Sequence, residues 1–150
     1  MQKPCTFLAE SLNGIFVVGE LRTSITLRAG ERCEYCRMHQ SLQGATFHLE
    51  HVVPESLGGS SEIDNLALAC PSCNLHKADR LFVELVGEDK MVPLFNPRRD
   101  LWTVHFEWDD YQIAGKTAIG KATISALYLN HERRVKIRMA EQLFGLFPPA

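Results

Sequence analysis

Two Cys-x-x-Cys pairs, Cys33–Cys36 and Cys70–Cys73, enclose the segment 37–69, and no other feature restricts the fold as tightly. Each pair is a tight turn that offers two sulfurs along one edge of a tetrahedron. Two such turns complete the tetrahedron around one zinc ion, with Zn–S bonds of about 2.3 Å. All four positions are then filled by thiolates, so the site is structural and staples 37–69 to its flanks. Such binding energy is largely folding energy. The competing reading is four buried or redox-active cysteines, but one pair suffices for redox work. Cys5 stands apart and reads as a small buried hydrophobe.

The chain has 150 residues, which argues for one domain with a modest core. Its hydrophobic and charged fractions, 45% and 23%, are those of ordinary globular proteins and exclude wholesale disorder. No basic flank followed by an apolar run marks a secretory leader. No apolar stretch approaches the roughly 20 residues that cross a bilayer. The expected setting is cytoplasmic and reducing, where paired cysteines ligate metal rather than form disulfides. The net charge of −2 gives no global sign of a nucleic-acid partner. Its distribution does: between Lys116 and Arg138, Lys116, Lys121, Arg133, Arg134, Lys136 and Arg138 face a single acid, Glu132. A local basic face binds phosphates even on a neutral protein. The plain alternative is a solvated helix face.

Along the chain, Ile15–Val18 reads as a short strand after the Asn13-Gly14 turn. Residues 23–31 read as a short helix capped by Ser24. A strand over 46–53 is stopped by Pro54, and Gly58-Gly59-Ser60-Ser61 demands a loop. Residues 66–69 form a second strand, and Pro71 opens a helix to about Asp79. Residues 81–86 read as extended. Trp102–Trp108 and Tyr111–Lys116 make a hairpin; Trp102, Phe106 and Trp108 share its core-facing side, with stacking on bases as the minority account. Residues 118–129 are helical. Asn130 caps a last helix, on which Val135, Met139, Leu143 and Leu146 form the apolar stripe.

The segment between and after the cysteines carries His48-Leu49-Glu50-His51-Val52-Val53-Pro54, Gly58-Gly59, Asp64-Asn65-Leu66 and Cys73-Asn74-x-x-Lys77. Together with the cysteines this series resembles the HNH endonuclease family. The run Pro93–Asp100 is similar to a flank found in a bacterial branch of it. The resemblance covers about a third of the chain. It implies an α+β protein with a ββα-metal (His-Me finger) core, stapled by the four-cysteine zinc. An N-terminal segment precedes this core, and a C-terminal β-hairpin plus helices follow. The whole of 1–150 is then one nuclease domain, with its core at 23–80 and an extension over 81–150.

The resemblance also implies roles. His51 is the general base. Glu50 and Asn74 are ligands of a catalytic divalent ion (Mg²⁺, Mn²⁺ or another), and Asn65 pins the loop through backbone hydrogen bonds. Asn74 stands where other members carry His. The implied partner is nucleic acid, DNA before RNA, and the implied products are a 5′-phosphate and a 3′-hydroxyl.

Independent chemistry agrees. Phosphodiester hydrolysis needs a deprotonated water and positive charge on the developing phosphorane; an unperturbed imidazole titrates near 6.5. A hard cation on carboxylate and amide oxygens supplies the charge. At about 100° per helical residue, Lys77 lies within about 60° of Asn74, whereas His76 lies about 160° away. Lys77 is therefore a candidate phosphate contact, and His76 a polar surface residue. In a regular strand Glu50 and His51 face opposite ways, and His48 shares the Glu50 face. His48 is thus a possible further ligand, or a structural histidine. His39, His105 and His131 read as satisfied polar groups. The rival of another class is a zinc-stapled nucleic-acid-binding module without catalysis, which has no need of Glu50, His51 and Asn74 together.

Overall fold

The computed structural model describes residues 7–150, with side chains from Val18 onward; Cys5 lies outside the described residues. Helix α1 (Phe7–Arg28) opens it. The strand expected at 15–18 is instead part of this helix, as is most of the short helix expected at 23–31. An Asn-Gly pair inside a helix costs only about 1 kcal/mol relative to good formers, which tertiary packing readily offsets. Ile25 and Ala29 are buried and Leu21 partly so. At four-residue spacing they form one stripe, and α1 packs against the second strand described below. Gly30 and Glu31, both with positive φ, end the helical path.

After the first cysteine turn come β1 (His48–His51), β2 (Leu66–Ala69) and α2 (Pro71–Lys77). The strands pair antiparallel with His48 opposite Ala69 and His51 opposite Leu66. All four β2 residues are buried, as a strand covered on both faces should be. Cys70 caps α2, its Sγ accepting from the Cys73 N–H at 3.4 Å, and Pro71 holds the first helical position, where a missing N–H costs nothing. Ala78 takes a positive φ and stops the helix before Asp79. This is the ββα order expected from the sequence.

A small hairpin follows, β3 (Phe82–Glu84) with β4 (Met91–Pro93). Residues 102–105 form a single helical turn, α3 (Trp102–His105), so the next hairpin is shorter than expected: β5 (Phe106–Asp109) and β6 (Gln112–Gly115). Trp102, Phe106 and Trp108 still stack, with centroids 5.1 Å apart in both neighbouring pairs. Trp102 and Phe106 are buried and Trp108 half-buried, and the Trp102 indole donates to the Tyr35 carbonyl. They are core residues. Helix α4 (Ala118–Ala126) is capped by the Thr117 hydroxyl.

Helix α5 (Glu132–Leu143) corrects the expected stripe. Its buried residues are Arg134, Arg138 and Glu141, while Met139 and Leu143 are 49% and 85% exposed. Its cap is His131, not Asn130. Asn130 instead grips Ile113, accepting from its N–H and donating to its carbonyl at 2.8 Å each.

One buried cluster joins Ile25, Phe47, Leu68, Phe95, Phe106, Ile113 and Leu129, so the segments before and after residue 81 share a core. No helix of the described residues is long and apolar enough to cross a membrane.

Candidate active site and zinc cluster

The four cysteines converge as their spacing requires. Their sulfurs all lie within 4.8 Å of one another and all four residues are buried. The Cys36 and Cys70 sulfurs are 3.8 Å apart. Ligands 2.3 Å from a tetrahedral zinc are themselves about 3.8 Å apart, so the cage is the right size for that ion. Burial pushes the Cys33 thiol up, while hydrogen bonds from the other three thiols and the charge of Arg134 overcome burial and hold Cys36 well below the usual thiol range. The cage is thus a place for shared negative charge.

Two arginines answer that charge, and both correct the sequence reading. Arg134 and Arg138 are 4% and 0% exposed and are not available to a nucleic-acid backbone. Arg134 donates from Nη1 to the Cys73 sulfur at 3.2 Å. Burial would lower its pKa, but the sulfurs of Cys73, Cys36 and Cys70 raise it above the usual arginine value. Arg138 bonds the Leu129 and Tyr111 carbonyls at 2.7 and 2.8 Å; burial lowers its pKa, against the attraction of Cys36 and Cys73. A zinc ion with four thiolates keeps two negative charges in excess, which is intolerable when buried unless cations lie near. Of the basic segment, Lys116, Lys121, Arg133 and Lys136 are exposed. Lys116 bonds the Thr103 carbonyl and Lys136 pairs with Glu132.

Across β1 the polar residues separate by face. The Glu50 carboxylate is buried. Oε2 accepts from the Tyr35 hydroxyl at 2.6 Å and Oε1 lies 2.6 Å from the Lys77 ammonium. Burial raises the Glu50 pKa, opposed by Lys77 and Tyr35. Lys77 is itself 2% exposed and also donates to the His51 carbonyl at 3.2 Å. It is therefore an internal partner of Glu50 and not the solvent-facing phosphate contact expected. Asn74 precedes it by three residues on the same helix face. Asn74 is half-buried, and its amide has no hydrogen-bond partner among the described residues. His48 is exposed and also lacks a side-chain partner there.

The His51 ring points to the loop. Its Nε2 is 2.9 Å from the Ser61 hydroxyl and 3.5 Å from Glu55 Oε1, and the Ser61 hydroxyl donates to Glu55 at 3.1 Å. With its proton given to Glu55, Ser61 can only accept from His51. That fixes the neutral ring as the Nε2–H tautomer and leaves Nδ1 as a free acceptor. Asn65 holds this loop in place. Its Oδ1 accepts from the Val53 N–H at 3.0 Å, and its Nδ2 donates to the Val53 and Ser60 carbonyls at 2.9 and 2.7 Å. Gly59 lies so close that an added Cβ would sit 1.8 Å from the Val53 oxygen; no other residue fits there. Glu55, Ser61 and Tyr35 were not singled out from the sequence.

Four further histidines are satisfied locally: His76 by the Ser72 carbonyl and the Tyr128 ring, His105 by Thr117, His39 by Ser41 and Glu31, and His131 by the Arg133 N–H.

The fit to a second ion divides. A carboxylate and a free amide oxygen are hard donors of the kind Mg²⁺ and Mn²⁺ take. Both Glu50 oxygens, however, are already engaged, one by the Lys77 ammonium and the other by the Tyr35 hydroxyl, so an ion there would share the carboxylate with them.

The family model described as "HNH endonuclease" matches residues 33–80. Over 132 residues the chain is 26% identical to the Septu protein PtuB of Bacillus thuringiensis, covering 85% of this chain and 49% of that protein. The chain thus spans about half the length of this relative. No solved structure matches significantly. Residues 33–80, with their two cysteine turns, ββα order and pinned loop, are thus similar to the HNH endonuclease family in sequence and carry the layout expected of it.

Proposed function

We propose that the protein is a metal-dependent endonuclease that hydrolyses phosphodiester bonds in nucleic acid, DNA before RNA, with His51 as general base. The observation that carries this reading is the His51–Ser61–Glu55 chain. A free Nδ1 is the acceptor a base needs, and a carboxylate at the end of the chain stabilises the imidazolium that forms on taking a proton from water. Asn65 acts through position alone, keeping the loop that carries Ser61 against β1. Glu50 and Asn74 would hold one divalent cation, which when bound supplies positive charge to the phosphoryl group and leaving oxygen. Cleavage would leave a 5′-phosphate and a 3′-hydroxyl. His48, exposed on the Glu50 side of β1, is a further oxygen- or ion-facing candidate. The exposed cations Lys116, Lys121, Arg133 and Lys136 would track the phosphate backbone, which positions the enzyme without reading sequence. Residues 1–150 act as one domain in this reading, in a cytoplasmic, reducing setting that keeps the thiolates available to zinc.

The rival is a zinc-stapled nucleic-acid-binding module, favoured by one observation, the closure of Glu50 by Lys77. A plasmid-nicking assay with Mg²⁺, Mn²⁺ or Ni²⁺, and with EDTA, separates them. The parent nicks DNA, EDTA abolishes the activity, and His51→Ala lowers it by about 10²–10⁴-fold, the usual worth of a general base. Salt-sensitive DNA binding with no nicking under any of these metals would establish the rival instead.

A further inference from the structure

A cavity of about 230 Å³ opens beside the end of β1, its wall beginning with Val52 and Val53, the two residues after His51. Its charged lining residues are Lys77, Arg80 and Arg99, with no acid among them. Lys77 spends its charge on Glu50. Arg80 donates to the carbonyls of His76 and Ala126, which are neutral acceptors and leave its charge uncompensated. Arg99 is exposed and has no side-chain hydrogen bond or ion pair among the described residues.

The run Pro93–Asp100, which the ββα unit does not absorb, explains how Arg99 arrives there. Asn96 builds a tight turn: its side-chain oxygen accepts from the Arg98 N–H at 2.9 Å, and its own N–H donates to Asp100 at 2.8 Å. The Arg99 N–H closes the turn on the Asn96 carbonyl at 3.1 Å. Successive residues then diverge. Arg98 turns inward to the buried Glu34, and Arg99 turns to the cavity. An arginine whose backbone is fixed by a turn and whose charge has no partner is suited to an oxyanion. Phe82, 54% exposed, supplies an aromatic surface in the same wall.

We propose that this cavity is the seat of one substrate nucleotide next to the bond that is cut, with a phosphate on Arg99 and Arg80 and the base or sugar against Phe82. The proposal rests on the nuclease reading and names a contact site that it lacks. The volume is below the roughly 300–1,000 Å³ of sites for drug-sized ligands. It takes part of one nucleotide, the rest of which lies outside in solvent, and not a whole cofactor. Val52 and Val53 join the cavity wall to the end of β1 that carries His51, and on that continuity the proposal assigns the nucleotide to the cleaved strand.

The test is fluorescence anisotropy with labelled DNA, duplex and single-stranded, over a salt series. All variants are made in the full chain carrying His51→Ala, so that cleavage does not consume the probe. Arg99→Ala and Arg99→Gln weaken binding about tenfold and reduce the slope of log affinity against log salt by about one, as loss of one phosphate contact does. Phe82→Ala weakens single-strand binding about fivefold or more, the worth of one stacked base, with the slope unchanged. Lys90→Ala, an exposed cation between β3 and β4 that belongs neither to the cavity wall nor to the proposed phosphate track, is the reference. Unchanged affinity and slope in both Arg99 variants would overturn the cavity alone if the chain with His51 intact nicks plasmid. Loss of binding in them, with no nicking by that chain, would keep a nucleotide contact at the cavity but overturn the nuclease reading and, with it, the assignment of that contact to a cleaved strand. Failure of the His51→Ala chain itself to bind either DNA would overturn both.

Discussion

The β1–β2–α2 unit and helix α5 both carry conspicuous polar residues, and they hold them by different means. In the unit, several of the polar side chains find partners close by in the chain. His51 meets Ser61 ten residues on, and Asn65 bonds Val53 twelve residues back. In α5 two of the three buried side chains have distant partners. Arg134 bonds Cys73 across 61 residues, and Glu141 accepts from the His39 N–H across 102. The first arrangement holds an imidazole and a loop in fixed relation near a surface; the second neutralises charge in a core. Polar residues of one type can thus serve opposite ends, and what separates them is burial and the charge of the partner they meet.

The comparison can be broken most forcefully at the cage that both regions share. Cys70→Ala removes a ligand and the α2 cap together. Structural zinc sites contribute about 10–16 kcal/mol of apparent binding energy, so this variant should bind no zinc and lose its cooperative melt, as measured by atomic absorption and circular dichroism. A variant that retains one zinc per chain and an unaltered melt would mean that the cage does not staple the fold.

The next test lies within α5. Arg134→Ala strips a buried cation from the thiolates and should cost about 3–5 kcal/mol, the usual result of breaking a buried charge pair. Its exposed neighbour Arg133→Ala should stay within about 0.5 kcal/mol. Denaturant titration of zinc-loaded protein checks both, and equal losses would erase the distinction between buried and solvated members of the basic run.

Smaller effects sharpen the other side. Asn65→Ala leaves the Val53 amide and two carbonyls without partners, at about 1–3 kcal/mol of stability, and frees the loop that carries Ser61. A thermal melt reads the first effect and plasmid nicking the second. Ser61→Ala removes only the bridge from His51 to Glu55. The loss of one hydrogen bond of about 1.4 kcal/mol corresponds to about tenfold in rate, with an unchanged melt. If nicking by Ser61→Ala equals that of the parent, the chain of hydrogen bonds does not orient the base.

The ββα region was legible for physical reasons that operate over short distances. Pro71 after Cys70 marks a helix start because only the first turn tolerates a missing N–H. Leu66–Ala69 is an unbroken apolar run because it is covered on both faces. The N-terminal helix was misread because Asn13-Gly14 is a strong turn signal only when nothing else recruits the segment, and Ile25 and Ala29 are recruited by the core. On α5, Val135, Met139, Leu143 and Leu146 do recur with helical spacing, but hydrophobic periodicity assumes that burial follows apolarity. A charged cage beneath the helix inverts that assumption and draws Arg134 and Arg138 inward.

The sequence alone determined that four thiolates meet, that a strand pair and a helix lie between and after them, and that a histidine follows a carboxylate at a strand end. Those features depend on spacing and backbone preference, which are local. Tertiary structure decided where the charges go: Lys77 onto Glu50, Arg134 and Arg138 toward the sulfurs, Arg98 inward and Arg99 outward, and His51 onto Ser61. A charge takes its role from burial and from the opposite charge it meets, and both are set by segments that only the folded chain brings together.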